Sequence, residues 1–282
     1  MGEARQKSRS LQALLRAEPR CIYCEAAATT IEHMPPRVLF LKRHRPSGME
    51  FAACRECNHG TKGADTVAAL FSRLSQADED MFWQSPEGIT LRFTMERDAP
   101  GVREEVFGDS TGGPRWIRSR SGILKPKIVI QADGPLVKAY LDVFAAKIGM
   151  ALYRQHVGAP LPIGGGVQTL WYLNAGLSEE HAHAHLSILP INGSLKQGKF
   201  TASEQFAYRY NCDEKSILAA LVGLNSNLHL FVIATSQPET YGLPHQIPGS
   251  ARAGNFVRPG ELTGIIGRGT VGPREEVVSN HP

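Results

Sequence analysis

Two Cys-x-x-Cys pairs, "CIYC" at Cys21 and Cys24 and "CREC" at Cys54 and Cys57, constrain this chain more than any other feature in it. Thiols paired at this spacing suit a tetrahedral Zn²⁺ held by four thiolates. An ion bound this way closes the 29 residues between the pairs into a loop. Four sulfurs leave the metal no open coordination position, so such a zinc braces a fold and takes no part in a reaction. Any chemistry must come from the loop or from the residues just after Cys57. The fifth cysteine, Cys212 in "YRYNCDEK", stands alone and reads as structurally incidental. An odd cysteine count fits a reducing compartment. The opening "MGEARQKSRSLQALLRAEP" is basic, with no apolar stretch of the kind a secretory leader carries. No apolar run approaches the roughly 18 residues a membrane span needs. The expected location is the cytoplasm, with no membrane partner.

The loop carries its own reactive groups. Glu32-His33 lies eight residues past Cys24 and precedes Pro35-Pro36-Arg37, and Asn58-His59 follows Cys57 directly. A metal clamp on both pairs brings Glu32-His33 towards Asn58 and the helix expected after it. A carboxylate and an amide oxygen suit a hard cation such as Mg²⁺. A histidine beside such a cation suits a general base. Taken alone, His33 reads more plainly as a loop histidine that caps a turn before the prolines.

The ordered set "C-x2-C … EH-x-x-P … C-x2-C-N-x3-K" resembles the HNH, or ββα-metal, nuclease motif, closest to the recombination endonuclease VII type with its four-cysteine zinc. The resemblance covers about residues 18–75. It implies His33 as the base that deprotonates water, with Glu32 and Asn58 as ligands of a catalytic Mg²⁺ or Mn²⁺. It also implies hydrolysis that leaves a 5′-phosphate. Glu32 stands where Asp is commoner. Asn58 stands where His is more frequent, and His59 is the ligand instead if the loop is shifted by one. The middle Asn of the motif, which braces the loop, has no counterpart in "VLFLKRHRPSGMEFAA", where His44 or backbone groups are the available substitutes. Arg37 and Lys62 are candidate phosphate contacts, as are Lys42, Arg43 and Arg45.

Charge points the same way. Residues 1–75 hold 12 Lys/Arg against 7 Asp/Glu, while the rest hold 19 against 20. The basic excess therefore sits around the cysteines; it suits a polyanionic partner such as nucleic acid, and a surplus of five charges also fits plain solubility.

The expected fold class is α+β. A zinc-containing HNH domain spans 1–78, and an α+β domain of antiparallel sheet and one long helix spans 79–242. Residues 243–282, rich in Gly and Pro, read as an extended or partly disordered tail. Short helices are expected over 8–18 and from Gly63. The segments "GITLRFTM", "REEVF", "RWIRSR" and "PKIVIQA" read as strands, and 135–156 is the strongest helix. "SILAALVGLNSNLHLFVIAT" reads as a hairpin, with a helix the alternative for its first half. His181, His183 and His185 share a face only on a strand; a polar rim is the plainer reading. "PIGGGVQ" reads as a turn. The leading functional expectation is a DNA endonuclease. The alternatives are a non-catalytic zinc-braced module that binds nucleic acid or protein, and an RNA nuclease. Residues 79–242 are the expected surface for self-association or a protein partner.

Overall fold

The computed structural model describes residues 11–74, 84–108, 113–118, 124–129, 132–173, 179–197, 200–225, 227–244 and 254–270. A helix, α1, covers 11–17. β1 (Thr30–His33) and β2 (Glu50–Ala53) form an antiparallel hairpin in which His33 faces Glu50 across the strands. α2 (Arg55–Gly60) starts at once, with Cys54 as its N-cap, and α3 (Lys62–Arg73) continues after Thr61. Asp65 lies in the first turn of α3, where a negative charge suits the helix dipole. The boundary expected at residue 78 lies outside the described residues.

The next segment departs from its strand-like appearance. α4 (Pro86–Asp98) and α5 (Val102–Phe107) are helices. The Ser85 hydroxyl accepts from the Gly88 N–H at 3.1 Å, and Pro86 pre-sets the first turn. Leu91 with Met95, and Val102 with Val106, are the buried pairs. Each pair is four apart, which is the spacing of a helix face, and that burial outweighs the strand-like Ile89, Thr90 and Thr94 nearby. β3 (Gly113–Arg118) and β4 (Leu124–Val129) are strands as expected, and they pair antiparallel.

The centre of the molecule is α6 (Pro135–Val157), which begins at Pro135 and ends on the left-handed Gly158. It packs against a six-stranded antiparallel sheet made of β5 (Gly166–Leu173), β6 (Ile191–Ser194), β9 (Phe206–Cys212), β10 (Ile217–Leu224), β11 (Leu228–Thr235) and β12 (Asn255–Val257), in the order β12-β5-β11-β10-β9-β6. A small hairpin of β7 (Lys196–Gln197) and β8 (Phe200–Thr201) extends from one edge. On β10, Leu218, Ala220, Val222 and Leu224 are buried, and the residues between them are partly exposed. That alternation marks one covered face. A Cβ at Gly149 would meet Val167 at 2.6 Å, so glycine lets α6 lie directly on β5. α3 and α5 press on other sides of α6, which explains why it is apolar nearly all round. α7 (Glu179–Ser187) holds the three-histidine segment.

The segment expected as a tail contributes β12 and α8 (Leu262–Thr270). Val257 and Leu262 are buried, and Ile265 and Ile266 pack against the core. Pro259 and Gly260 make the turn between the two elements, and Gly264 and Gly267 lie within α8 itself. Gly260, at φ +89°, donates its N–H to the Tyr23 carbonyl at 2.7 Å. One apolar core thus runs from Cys21 through α3 and α6 to Leu262. A chain ending at residue 254 should unfold at clearly lower urea than the full chain, measured by circular dichroism; a free tail would leave the midpoint unchanged.

Candidate active site

The four cysteine sulfurs lie within 4.8 Å of one another. Cys24 Sγ and Cys54 Sγ are 3.6 Å apart, close to the ~3.8 Å that tetrahedral Zn–S bonds of about 2.3 Å require. Backbone amides already point at the sulfurs: Tyr23 N–H donates to Cys21 Sγ at 3.4 Å and Cys57 N–H to Cys54 Sγ at 3.3 Å. Without an ion Cys21, Cys24 and Cys57 divide unequally. A hydrogen bond from Cys57 brings Cys21 down to about 5, while burial raises Cys24 to about 11 and donation to Cys21 pushes Cys57 up. Cys21 is thereby favoured as a thiolate while Cys24 and Cys57 favour the thiol, and a bound cation favours thiolates as its ligands. The donor set fits a four-cysteine metal site. Among the described residues it is the only group of three or more His, Cys, Asp or Glu placed to hold an ion.

This cluster fixes the hairpin. Ile22 N–H bonds to the Ala52 carbonyl and Thr29 N–H to Ala53, so the first cysteine pair grips β2, while the second begins α2. His33 sits at the far end of β1 with its side chain 26% exposed. Its Nε2 lies 3.3 Å from Arg37 Nη2 and 3.9 Å from the Glu50 carboxylate. A guanidinium only donates, so Nε2 accepts and the ring proton sits on Nδ1. Burial lowers the His33 pKa, Arg37 and Arg45 lower it further, and Glu50 opposes them.

Arg45 is placed differently from the phosphate contact expected of it. Its side chain is 2% exposed, and it donates to the carbonyls of Met34, Pro35, Pro46, Gly48 and Met49. One guanidinium thus laces both ends of the β1–β2 loop, the job assigned to the motif's missing Asn. His44 is exposed and does not take that place. Arg37, Lys42, Arg43 and Lys62 are exposed.

Neighbours on a strand face opposite ways, so Glu32 points inward where His33 points out. Glu32 is 3% exposed and lies 3.5 Å from Lys147 of α6, whose ammonium also bonds Asp65 at 2.7 Å. Burial raises Glu32 to about 7, with Lys147 pulling it back and Asp65 adding to the rise. Asp65 is likewise raised by burial and held back by Lys147. Burial works to lower Lys147, and the two carboxylates outweigh it. The Tyr23 hydroxyl is buried in the same place with no hydrogen-bond partner among the described residues. A Cβ at Gly63 would meet the Asp98 carbonyl at 2.3 Å and the Tyr140 ring at 2.6 Å, so glycine is what lets α3 approach α6 this closely.

Asn58 donates to Thr30 Oγ1 and the Ile31 carbonyl, both at 3.0 Å. Thr30 and Glu32 share one face of β1, so Asn58 and Glu32 lie along the same side of the hairpin. No hydrogen bond joins them among the described residues, because the Glu32 carboxylate is turned to Lys147. His59, one position on, is exposed. As arranged, these side chains do not fit a second cation. Of the three histidines on α7, His183 is exposed, while His185 is buried and stacks on Phe231 with centroids 4.1 Å apart. The His181 side chain lies outside the described residues.

Sequence reasoning missed Lys147. Its signal was a lysine inside the apolar stripe of "DVFAAKIGM", a position where a charge persists only with a partner. No family model, no curated protein and no solved structure matches the chain. Lys147→Met leaves two buried carboxylates without a counter-charge and should cost about 3–5 kcal/mol. Adding Glu32→Gln and Asp65→Asn should recover much of that loss in urea unfolding.

Proposed function

We propose that the chain is an HNH-type endonuclease that hydrolyses phosphodiester bonds in DNA, with His33 as general base and a structural zinc on Cys21, Cys24, Cys54 and Cys57. The observation that carries this reading is His33 itself. It stands at the open end of a hairpin clamped by four cysteines, is kept neutral by burial and two arginines, and lies beside an exposed Arg37. The Nε2 lone pair is occupied by Arg37 while no anion is near. A phosphate entering the site draws the guanidinium to its oxygens, a charge-assisted contact stronger than one to imidazole. That frees Nε2 to take a proton from water. The resulting hydroxide attacks phosphorus, the bond to the 3′ oxygen breaks, and a 5′-phosphate remains. Lys62, exposed at the start of α3, is a second phosphate contact.

The HNH resemblance assigns a Mg²⁺ or Mn²⁺ to Glu32 and Asn58, with His59 as the shifted alternative. Bound there, such an ion would supply Lewis-acid charge stabilisation. Holding it requires Glu32 to release Lys147, so the steps above use only His33 and Arg37.

A plasmid-nicking assay with Mg²⁺ or Mn²⁺ tests the proposal. His33→Ala should lower the rate about 10²–10⁴-fold, the range for loss of a general base. Undiminished cutting by that variant removes His33 from the role. Salt-sensitive binding without cleavage under any metal favours the non-catalytic module. Cleavage confined to RNA favours the ribonuclease.

A further inference from the structure

The sheet face turned away from α6 holds a groove of about 700 Å³ that the hydrolytic reading leaves unused. The strand register builds its floor. One rung runs Asn192, Arg209, Leu221, Phe231, and the next runs Ser194, Ala207, Gly223, His229. Ala207 and Gly223 sink the second rung. A Cβ added at Gly223 would meet nothing nearer than 3.7 Å, so the trough over it is open. Lys196, Thr201 and Ser203, from the β7–β8 hairpin and the turn after it, form the rim.

The lining has one electrostatic sense. It contains Arg209, Lys196, His229, hydroxyls and an amide, and no carboxylate. Arg209 Nε is buried with no hydrogen bond, and neither Arg209 nor Lys196 has an ion-pair partner among the described residues. An arginine donor withdrawn from water without an acceptor is costly unless an anion completes it.

The rim is also tied to the loop between β1 and β2. Leu41 N–H donates to Gln205 Oε1 at 2.7 Å, and Ser47 N–H donates to Gln197 Oε1 at 3.3 Å. Exposed Arg37, Lys42 and Arg43 lie on that same loop.

We propose that this groove binds a single nucleic-acid strand flanking the bond cut at His33, with Arg209 and Lys196 on backbone phosphates and the Leu221–Gly223 floor under a base or sugar. It rests on the nuclease reading for the identity of the strand. The volume falls within the ~300–1,000 Å³ of small-ligand sites, so it takes a short stretch of strand and not a duplex.

The test uses the full chain carrying His33→Ala, so that the probe is not cut, and follows a labelled single-stranded oligonucleotide by fluorescence anisotropy across salt. Arg209→Gln with Lys196→Gln should weaken binding at least 10-fold and reduce the salt slope by about 1.4, two phosphates at roughly 0.7 each. Gly223→Thr, which fills the trough without changing charge, should weaken binding similarly while the thermal unfolding midpoint stays put. Unchanged oligonucleotide affinity in both variants overturns the proposal, as does a groove that holds free mononucleotide but not the strand. A chain that binds through Arg209 yet never cuts sinks the nuclease reading and leaves the groove standing. A chain that cuts through His33 and is indifferent to Arg209→Gln sinks the groove alone.

Discussion

Four sulfurs drawn into one cluster hold the first cysteine pair, the end of β2 and the start of α2 at a single point. Everything at the candidate site hangs from it. A two-stranded hairpin is at best marginally stable in water, so β1 and β2 need an external clamp to present a side chain reproducibly. The sulfur cluster clamps one end. Arg45 laces the other end through five carbonyls, and the core beneath α3 supports the middle.

The period of a β-strand then sorts the charges. Glu32 turns in and finds Lys147 of α6; His33 turns out and finds Arg37. The inward pair belongs to the contact between the hairpin and α6, because Lys147 and Asp65 bring α6 and α3 to the same spot. Breaking such a pair is costly, although an apolar replacement of the whole group is often neutral. The ion network therefore specifies how the hairpin seats on α6 and α3 more than it adds stability. It also withdraws from solution the carboxylate that an HNH motif would give to a cation.

Much of this was legible in the residues. The paired cysteines, the helix over α6 from Pro135 to Gly158 and the β10–β11 hairpin follow from spacing, capping and alternation. α4 and α5 did not, because their β-branched and charged residues mask two buried pairs at helical spacing. β12 and α8 were hidden by a high Gly and Pro content, since α8 carries Gly264 and Gly267 within the helix and Pro259-Gly260 turns the chain just before it. At the site, His33 and Arg37 were readable as a motif. Lys147 and Arg45 were not, since each works through partners set by tertiary contact: Lys147 meets Asp65 82 positions away in the chain, and Arg45 binds backbone carbonyls that carry no residue signature.

The most direct measurement is a crystal of the His33→Ala chain with an oligonucleotide and Mn²⁺, with anomalous maps collected at the zinc and manganese edges. A metal-braced phosphodiesterase centre should show zinc on Cys21, Cys24, Cys54 and Cys57, with a backbone phosphate against Arg37 beside position 33. Four sulfurs without metal, or a strand bound well away from the end of β1, would contradict it.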